Sequence, residues 1–320
     1  TTNNEGQLII EGLKLGNYTF VETKASDGYL INSTPIQVSL VYKGQETSVV
    51  VESTEQTNSE PTATIHLNKV DKETGTTAQG DATLAGAKYQ LTAAEDIYNK
   101  AQTHKIYSKG EVVATRVTDS KGKMEDVTGL PLGHYQLKEV ESSQGYLLDE
   151  KVYDIHCDYE GQNVEVVVRN AKSLETVKKQ AFQIIKVSSD DSGEADLLPS
   201  AEFTVKLASE VEKVGWNQAK VYDVLTTDKK GYAKSTELPY GTYTVKETKV
   251  PDGVIAVKDF TVTIHKDSRE PQTWRVFNDA PFKALIKAVK ADEETGKTVL
   301  LPDTEFKIKN VKTGQYVGHW

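Results

Sequence analysis

Lysine, glutamate and asparagine recur at matching places in this chain, and together these three side chains can make an amide bond. Lys69, Glu139 and Asn170 form one set, and Lys186, Glu247 and Asn278 form the next. A β-strand alternates its side chains, so residues two apart share a face. Ile65, Leu67 and Lys69 therefore share a face, as do Phe182, Ile184 and Lys186. Tyr135, Leu137 and Glu139 go together, with Tyr243, Val245 and Glu247 in the copy. On the last strand the same parity groups Val164, Val166, Val168 and Asn170, with Trp274, Val276 and Asn278 in the copy. The apolar face is the core face, so each set is expected to point inward.

Burying an unpaired ammonium or carboxylate costs several kcal/mol, and such groups tend to neutralise instead. Desolvation lowers a lysine's pKa and makes its amine nucleophilic. It raises a glutamate's pKa, so that the acid can donate or shuttle a proton. An asparagine supplies an amide carbon for the amine to attack. The expected product is a Lys–Asn isopeptide bond with loss of ammonia, formed once per site and without turnover. Taken singly, each residue has a plainer explanation. A strand-end lysine snorkels, a glutamate after Gly-x-Tyr organises a turn, and an asparagine closing a strand is a turn residue. The reading rests on all three recurring in register in two units.

The elements that must position these residues are repeats. Gly-x-Tyr-x-x-x-Glu occurs at Gly16–Glu22, Gly133–Glu139 and Gly241–Glu247. Glu22 and Glu139 keep the separation of Val51 and Val168, and Glu139 and Glu247 keep that of Asn170 and Asn278. A second string opens each unit: Lys69-Val70-Asp71 with Leu84–Tyr89, Lys186 with Leu198–Phe203, and Lys290-Ala291-Asp292 with Leu301–Phe306. The chain thus reads as the back half of one repeat (1–60), two whole repeats (61–172 and 180–280) and the front half of a fourth (281–320). Polar segments 54–62, 171–180 and 279–281 are the candidate linkers. Short alternating runs of Val, Thr, Ile and Tyr, punctuated by Gly, Pro, Asp and Asn, predict all-β sandwiches in tandem. Segments 93–101 and 208–218 have room for a helical turn or two. The partial units at either end are expected to leave apolar faces and sheet edges uncovered.

Composition narrows the partners. The 320 residues carry 38 Lys+Arg against 47 Asp+Glu, a net charge of -9, which argues against nucleic acid or an anionic membrane as the main partner. No stretch approaches the roughly 20 apolar residues of a spanning helix. The single Cys157 permits no intrachain disulfide. The chain opens on Thr with no visible signal peptide, and it reads as an internal piece of a longer protein.

The strings Lys69-Val70-Asp71, Leu84–Ala87, Leu130–Tyr135 through Glu139, Gly145-Tyr146 and Val168–Asn170 resemble Cna B-type domains and the prealbumin-like domains of SpaA-type pilins. These are repeat modules of Gram-positive cell-wall-anchored adhesins and pili. The resemblance covers nearly the whole chain. It implies a β-sandwich of transthyretin-like, inverse immunoglobulin topology. It also implies an isopeptide bond from a first-strand Lys to a last-strand Asn, assisted by the Glu: Lys69 to Asn170 with Glu139, and Lys186 to Asn278 with Glu247. In the first unit the Asn position falls on Ser53, leaving Glu22 without a bond, and the fourth unit has Lys290 but neither partner. Such a link would carry force between the first and last strands, and it would restrict the unfolded chain by about 2–5 kcal/mol, by analogy with a disulfide.

The function expected on this resemblance is a cell-surface stalk, in an adhesin or pilin-like protein, with peptidoglycan attachment through a sortase-anchored end outside the segment. Two alternatives are repeats that themselves bind a host matrix protein or glycan, and accessory modules of a secreted enzyme. No cofactor or metal is expected. Leu301-Pro302-Asp303-Thr304-Glu305 resembles a sortase signal, but Glu stands where Gly is required. No Tyr-Pro-Lys pilin motif is present. The acidic run 190–196 lacks EF-hand spacing, and the six His show no metal spacing such as His-x-x-x-His.

Overall fold

A computed structural model describes residues 1–189, 195–272, 275–279, 288–299, 304–311 and 313–319. The acidic run 190–196 and the Leu301–Glu305 string fall largely outside them. In the first unit, β1 (Gly16–Phe20) pairs antiparallel with β2 (Ile36–Leu40). Ile9, Tyr42, Val49 and Val51 are exposed there, as expected of half a sandwich.

The second unit is a complete two-sheet sandwich. Its strands in chain order are β3 (Thr62–Asp71), β4 (Lys88–Ala93), β5 (Ile97–Tyr98), β6 (Lys105–Tyr107), β7 (Val112–Val117), β8 (Val127–Pro131), β9 (Gly133–Glu141), β10 (Val152–Cys157) and β11 (Val166–Glu175). One sheet has the order β10-β9-β4-β7, the other β11-β3-β8, and β5 with β6 forms a separate hairpin. The first and last strands, β3 and β11, run parallel over ten residue pairs. Alternation builds the core between the sheets: Ile65, Leu67, Tyr89, Leu91, Tyr135, Leu137 and Val167 are all buried in it.

The third unit repeats this plan. A short β12 (Lys179–Gln180) precedes β13 (Gln183–Ser189), β14 (Ala195–Leu197), β15 (Glu202–Leu207), helix α1 (Ala208–Val214), β16 (Val221–Thr226), β17 (Tyr232–Lys234), β18 (Leu238–Pro239), β19 (Gly241–Lys249), β20 (Phe260–Ile264) and β21 (Arg275–Asp279). The sheets are β16-β15-β19-β20 and β14-β13-β17, with β21 parallel on β13. In the last unit β22 (Lys307–Lys309) pairs with β23 (Tyr316–His319).

The all-β sandwich class holds, with two local differences. Of the two segments with room for helical turns, 208–218 contains α1, while 93–101 feeds the β5–β6 hairpin. The segment 171–180, polar enough to read as a linker, is mostly strand: β11 runs through Glu175, leaving only Thr176–Lys178 before β12. Its polar residues fit a strand because alternate ones face solvent.

Candidate functional site

Lys69 and Lys186 lie on the core faces of β3 and β13 and are fully buried. Each backbone N–H bonds to a glycine carbonyl, Gly122 at 2.7 Å and Gly231 at 2.6 Å. Both glycines follow an Asp-x-Lys turn and have φ near the left-handed region, +75° and +64°. A Cβ at Gly122 would sit 2.1 Å from the Lys69 carbonyl oxygen, and one at Gly231 would sit 2.3 Å from that of Lys186. Each lysine strand is therefore pressed against a turn that only glycine fits.

The Lys69 ammonium sits between two carboxylates. Its Nζ donates to Glu139 Oε1 at 2.9 Å and lies 2.7 Å from Glu175 Oε2. All three side chains are 0% exposed. The Tyr146 ring stands 5.3 Å from Nζ, close enough for a cation–π contribution. Glu175 Oε1 accepts from Tyr89 Oη at 3.1 Å and from Ser173 Oγ. Burial pushes Glu139 above the usual glutamate range, opposed by the Asp149 amide and by Lys69. One cation with two carboxylates is neutral when one acid keeps its proton, and the upward push of burial on Glu139 fits that state. Beside it, Asp71 accepts from the Tyr146 hydroxyl at 2.9 Å and from the backbone N–H groups of Glu73 and Thr74.

Asn170 is not part of this cluster. It is exposed, and its partner across the β3–β11 ladder is His66; Lys69 is paired with Ser173. The face holding Val166, Val168 and Asn170 is the outer one, and Val167, Ser173 and Glu175 point inward. Valines at 166, 167 and 168 give no alternation, and a shift of one residue exchanges the two faces. The acid that meets Lys69 from the last strand is Glu175.

The first unit confirms this position. Glu22 Oε2 accepts from the Asn58 carboxamide at 2.7 Å, across a separation of 36 residues, and Glu139 and Glu175 have the same spacing. Asn58, not Ser53, is therefore the counterpart of Glu175; Ser53 is exposed and outside any strand. Glu22 is not idle either. Its Oε2 accepts the backbone N–H of Asn32, ten residues on, at 2.7 Å. Glu139 takes that of Asp149 and Glu247 that of Val257 with the same spacing of ten. The recurring glutamate thus pins the loop after its strand in all three units that contain it, and in the complete units it also meets the lysine.

In the third unit Lys186 Nζ lies 3.0 Å from Glu247 Oε1, both side chains 0% exposed, and 5.5 Å from the centre of the Phe203 ring. The parallel ladder pairs Lys186 with Phe277, Val187 with Asn278 and Ser188 with Asp279. Asp279 thus takes the register slot of Glu175, and Asn278 that of Leu174. The side chain of Asn278 lies outside the described residues. Lys290 is exposed and donates to Thr304 Oγ1 at 3.1 Å.

Tandem two-sheet sandwiches, each closed by a parallel pairing of its first and last strands beside a buried lysine and glutamate, define a narrow class of repeat protein. A family model described as the SpaA prealbumin-like fold domain matches residues 1–55, 63–172 and 180–276. The chain belongs to this family. Among solved structures it is similar to the Bacillus anthracis TIE protein, at 24% identity and a TM-score of 0.57, over 87% of this chain. It spans 44% of that protein's chain. A Streptococcal ancillary pilin matches at 22% identity over 85% of this chain and 77% of its own, with a TM-score of 0.30. GBS52, the minor pilin of Streptococcus agalactiae, matches at 14% identity over 71% of this chain and 100% of its own, with a TM-score of 0.31. No curated protein matches the chain.

Proposed function

We propose that the chain is the stalk region of a Gram-positive surface adhesin or pilin-like protein, and that each complete unit is closed by a bond between its first-strand lysine and its last strand. The observation that carries this reading is the placement of Lys69 Nζ between Glu139 and Glu175, wholly inside the sandwich. In the second unit the acceptor is Glu175. The Lys69 amine attacks the Glu175 carboxyl carbon, an N–C bond forms, a C–O bond breaks, and the oxygen leaves as water. Glu139 carries the proton between the amine and the departing oxygen. In the third unit Lys186 is served by Glu247, with Asn278 or Asp279 as acceptor. The reaction occurs once per site and makes the protein a structural element without external substrate. At the cell surface the parent protein would meet a host matrix protein or glycan and be attached to peptidoglycan.

Intact mass and peptide mapping test the chemistry. Each Lys–Glu or Lys–Asp condensation removes one water, and a Lys–Asn condensation removes one ammonia. Loss of one water, abolished by Lys69→Met and by Glu139→Ala, is the expected result for the second unit. A wild-type mass equal to that of the sequence would refute the covalent link and leave a buried ion pair.

A further inference from the structure

Two histidines at one end of the second sandwich are brought together by strand register alone. His134 lies near the start of β9 and His156 near the end of β10, and the two are direct partners in that antiparallel pair. Side chains of directly opposed residues leave the sheet on the same face. Their rings meet edge to face, 4.1 Å between centroids. Asp158 follows two residues after His156, and its Oδ1 lies 3.3 Å from His134 Nε2. One donor atom from each of the three residues lies within 4.8 Å of the others. Two donors on a tetrahedral zinc ion, with bonds of about 2.0–2.2 Å, stand roughly 3.3 Å apart.

A fourth residue completes the arrangement. Glu95 Oε1 accepts the His134 backbone N–H at 3.2 Å and lies 3.6 Å from the same residue's Nδ1. A carboxylate behind a metal-binding imidazole fixes its tautomer and raises its basicity. With Nδ1–H turned to Glu95, the Nε2 lone pair faces Asp158 and His156.

We propose that His134, His156 and Asp158 form a binding site for a divalent transition metal of the zinc class, with Glu95 as a positioning residue. Two imidazoles and one carboxylate suit zinc and its neighbours rather than magnesium or calcium, which take oxygen. Three protein ligands leave the fourth position to water. Cys157, between His156 and Asp158 in sequence, is fully buried and is not among the clustered donors. The site borders a concavity shared with Glu60, Pro61 and Tyr159. Tyr159 in turn donates to the Tyr29 carbonyl of the first unit at 2.9 Å. A bound ion would tie β9 to the end of β10 beside that junction.

Calorimetric titration of the metal-free chain with zinc chloride tests the site, with the double variant His134→Ala/His156→Ala as comparison. Neither residue is in the core, so the variant is expected to keep the wild-type melting temperature without zinc. The wild type is expected to bind one zinc at the site, with at least a tenfold loss of affinity in the double variant. Glu95→Gln is expected to weaken binding ten- to hundredfold. Equal zinc affinity in wild type and double variant would overturn the proposal, as would displacement of zinc by excess magnesium.

Discussion

Replacing Lys69 with Met removes the amine and keeps the length of the side chain. Glu139 and Glu175 are then left as unpaired acids in a site with 0% side-chain exposure, and leaving buried charge uncompensated costs about 3–5 kcal/mol. The proposed covalent link would be lost with the amine. It closes a loop of roughly 100 residues, for which chain entropy gives about 4.7 kcal/mol. Together these losses reach the roughly 5–15 kcal/mol by which a typical domain is stable. The second unit should therefore melt in a separate, earlier transition. The triple variant Lys69→Met/Glu139→Gln/Glu175→Gln removes the stranded carboxylates, and it should recover much of the cost of the unpaired acids but none of the loop term. Calorimetry of wild type, single and triple variants separates the two contributions. A triple variant as stable as wild type would refute the link. A single variant that melts with the wild type would refute the buried cluster itself.

Gly122→Ala is expected to cost at least about 1–3 kcal/mol through its left-handed backbone, and to prevent the water loss in the second unit by pushing the Lys69 peptide aside; mass and melting read both effects. Cys157, whose thiol burial pushes up to about 11, should resist a thiol reagent at neutral pH until the unit unfolds, and immediate labelling of folded protein would contradict its placement. Burial alone would raise Asp71, but hydrogen bonds from Thr74, Glu73, Tyr146 and Gln79 hold it below the usual aspartate range. Its contribution to stability is therefore present above the unfolded-state pKa and lost as pH falls through the lowered value. Denaturant titrations from neutral to acid pH should show a shallower acid loss in Asp71→Asn than in wild type.

The faces of β3, β9, β13 and β19 were legible because apolar and polar residues alternate cleanly there, which put Lys69, Glu139, Lys186 and Glu247 inside. The face of β11 was not legible, because three successive valines satisfy either parity. The expected positions, Asn170 and Ser53, lie five residues short of Glu175 and Asn58. The signal for the last-strand residue that meets the lysine is the repeat spacing itself, which carries Asn58 onto Glu175 just as it carries Glu22 onto Glu139. The pairing of His134 with His156 is a product of hairpin register across a 22-residue separation, and no local motif encodes that. Gly122 and Gly231 show their role only once the lysine carbonyls beneath them are placed.

The parallel pairing of β3 with β11 sets how this protein meets tension. The chain enters the second sandwich at Thr62, at one end of the ladder, and leaves at Glu175, at the other. Without the proposed Lys69–Glu175 bond, pulling on the two termini slides the strands lengthwise, so the inter-strand hydrogen bonds are loaded in shear at once instead of unzipping in turn. A tether of three residues, Thr176–Lys178, then hands the load to the next unit. Rupture under such loading is a single cooperative event, and the sandwich should hold its length until that event arrives.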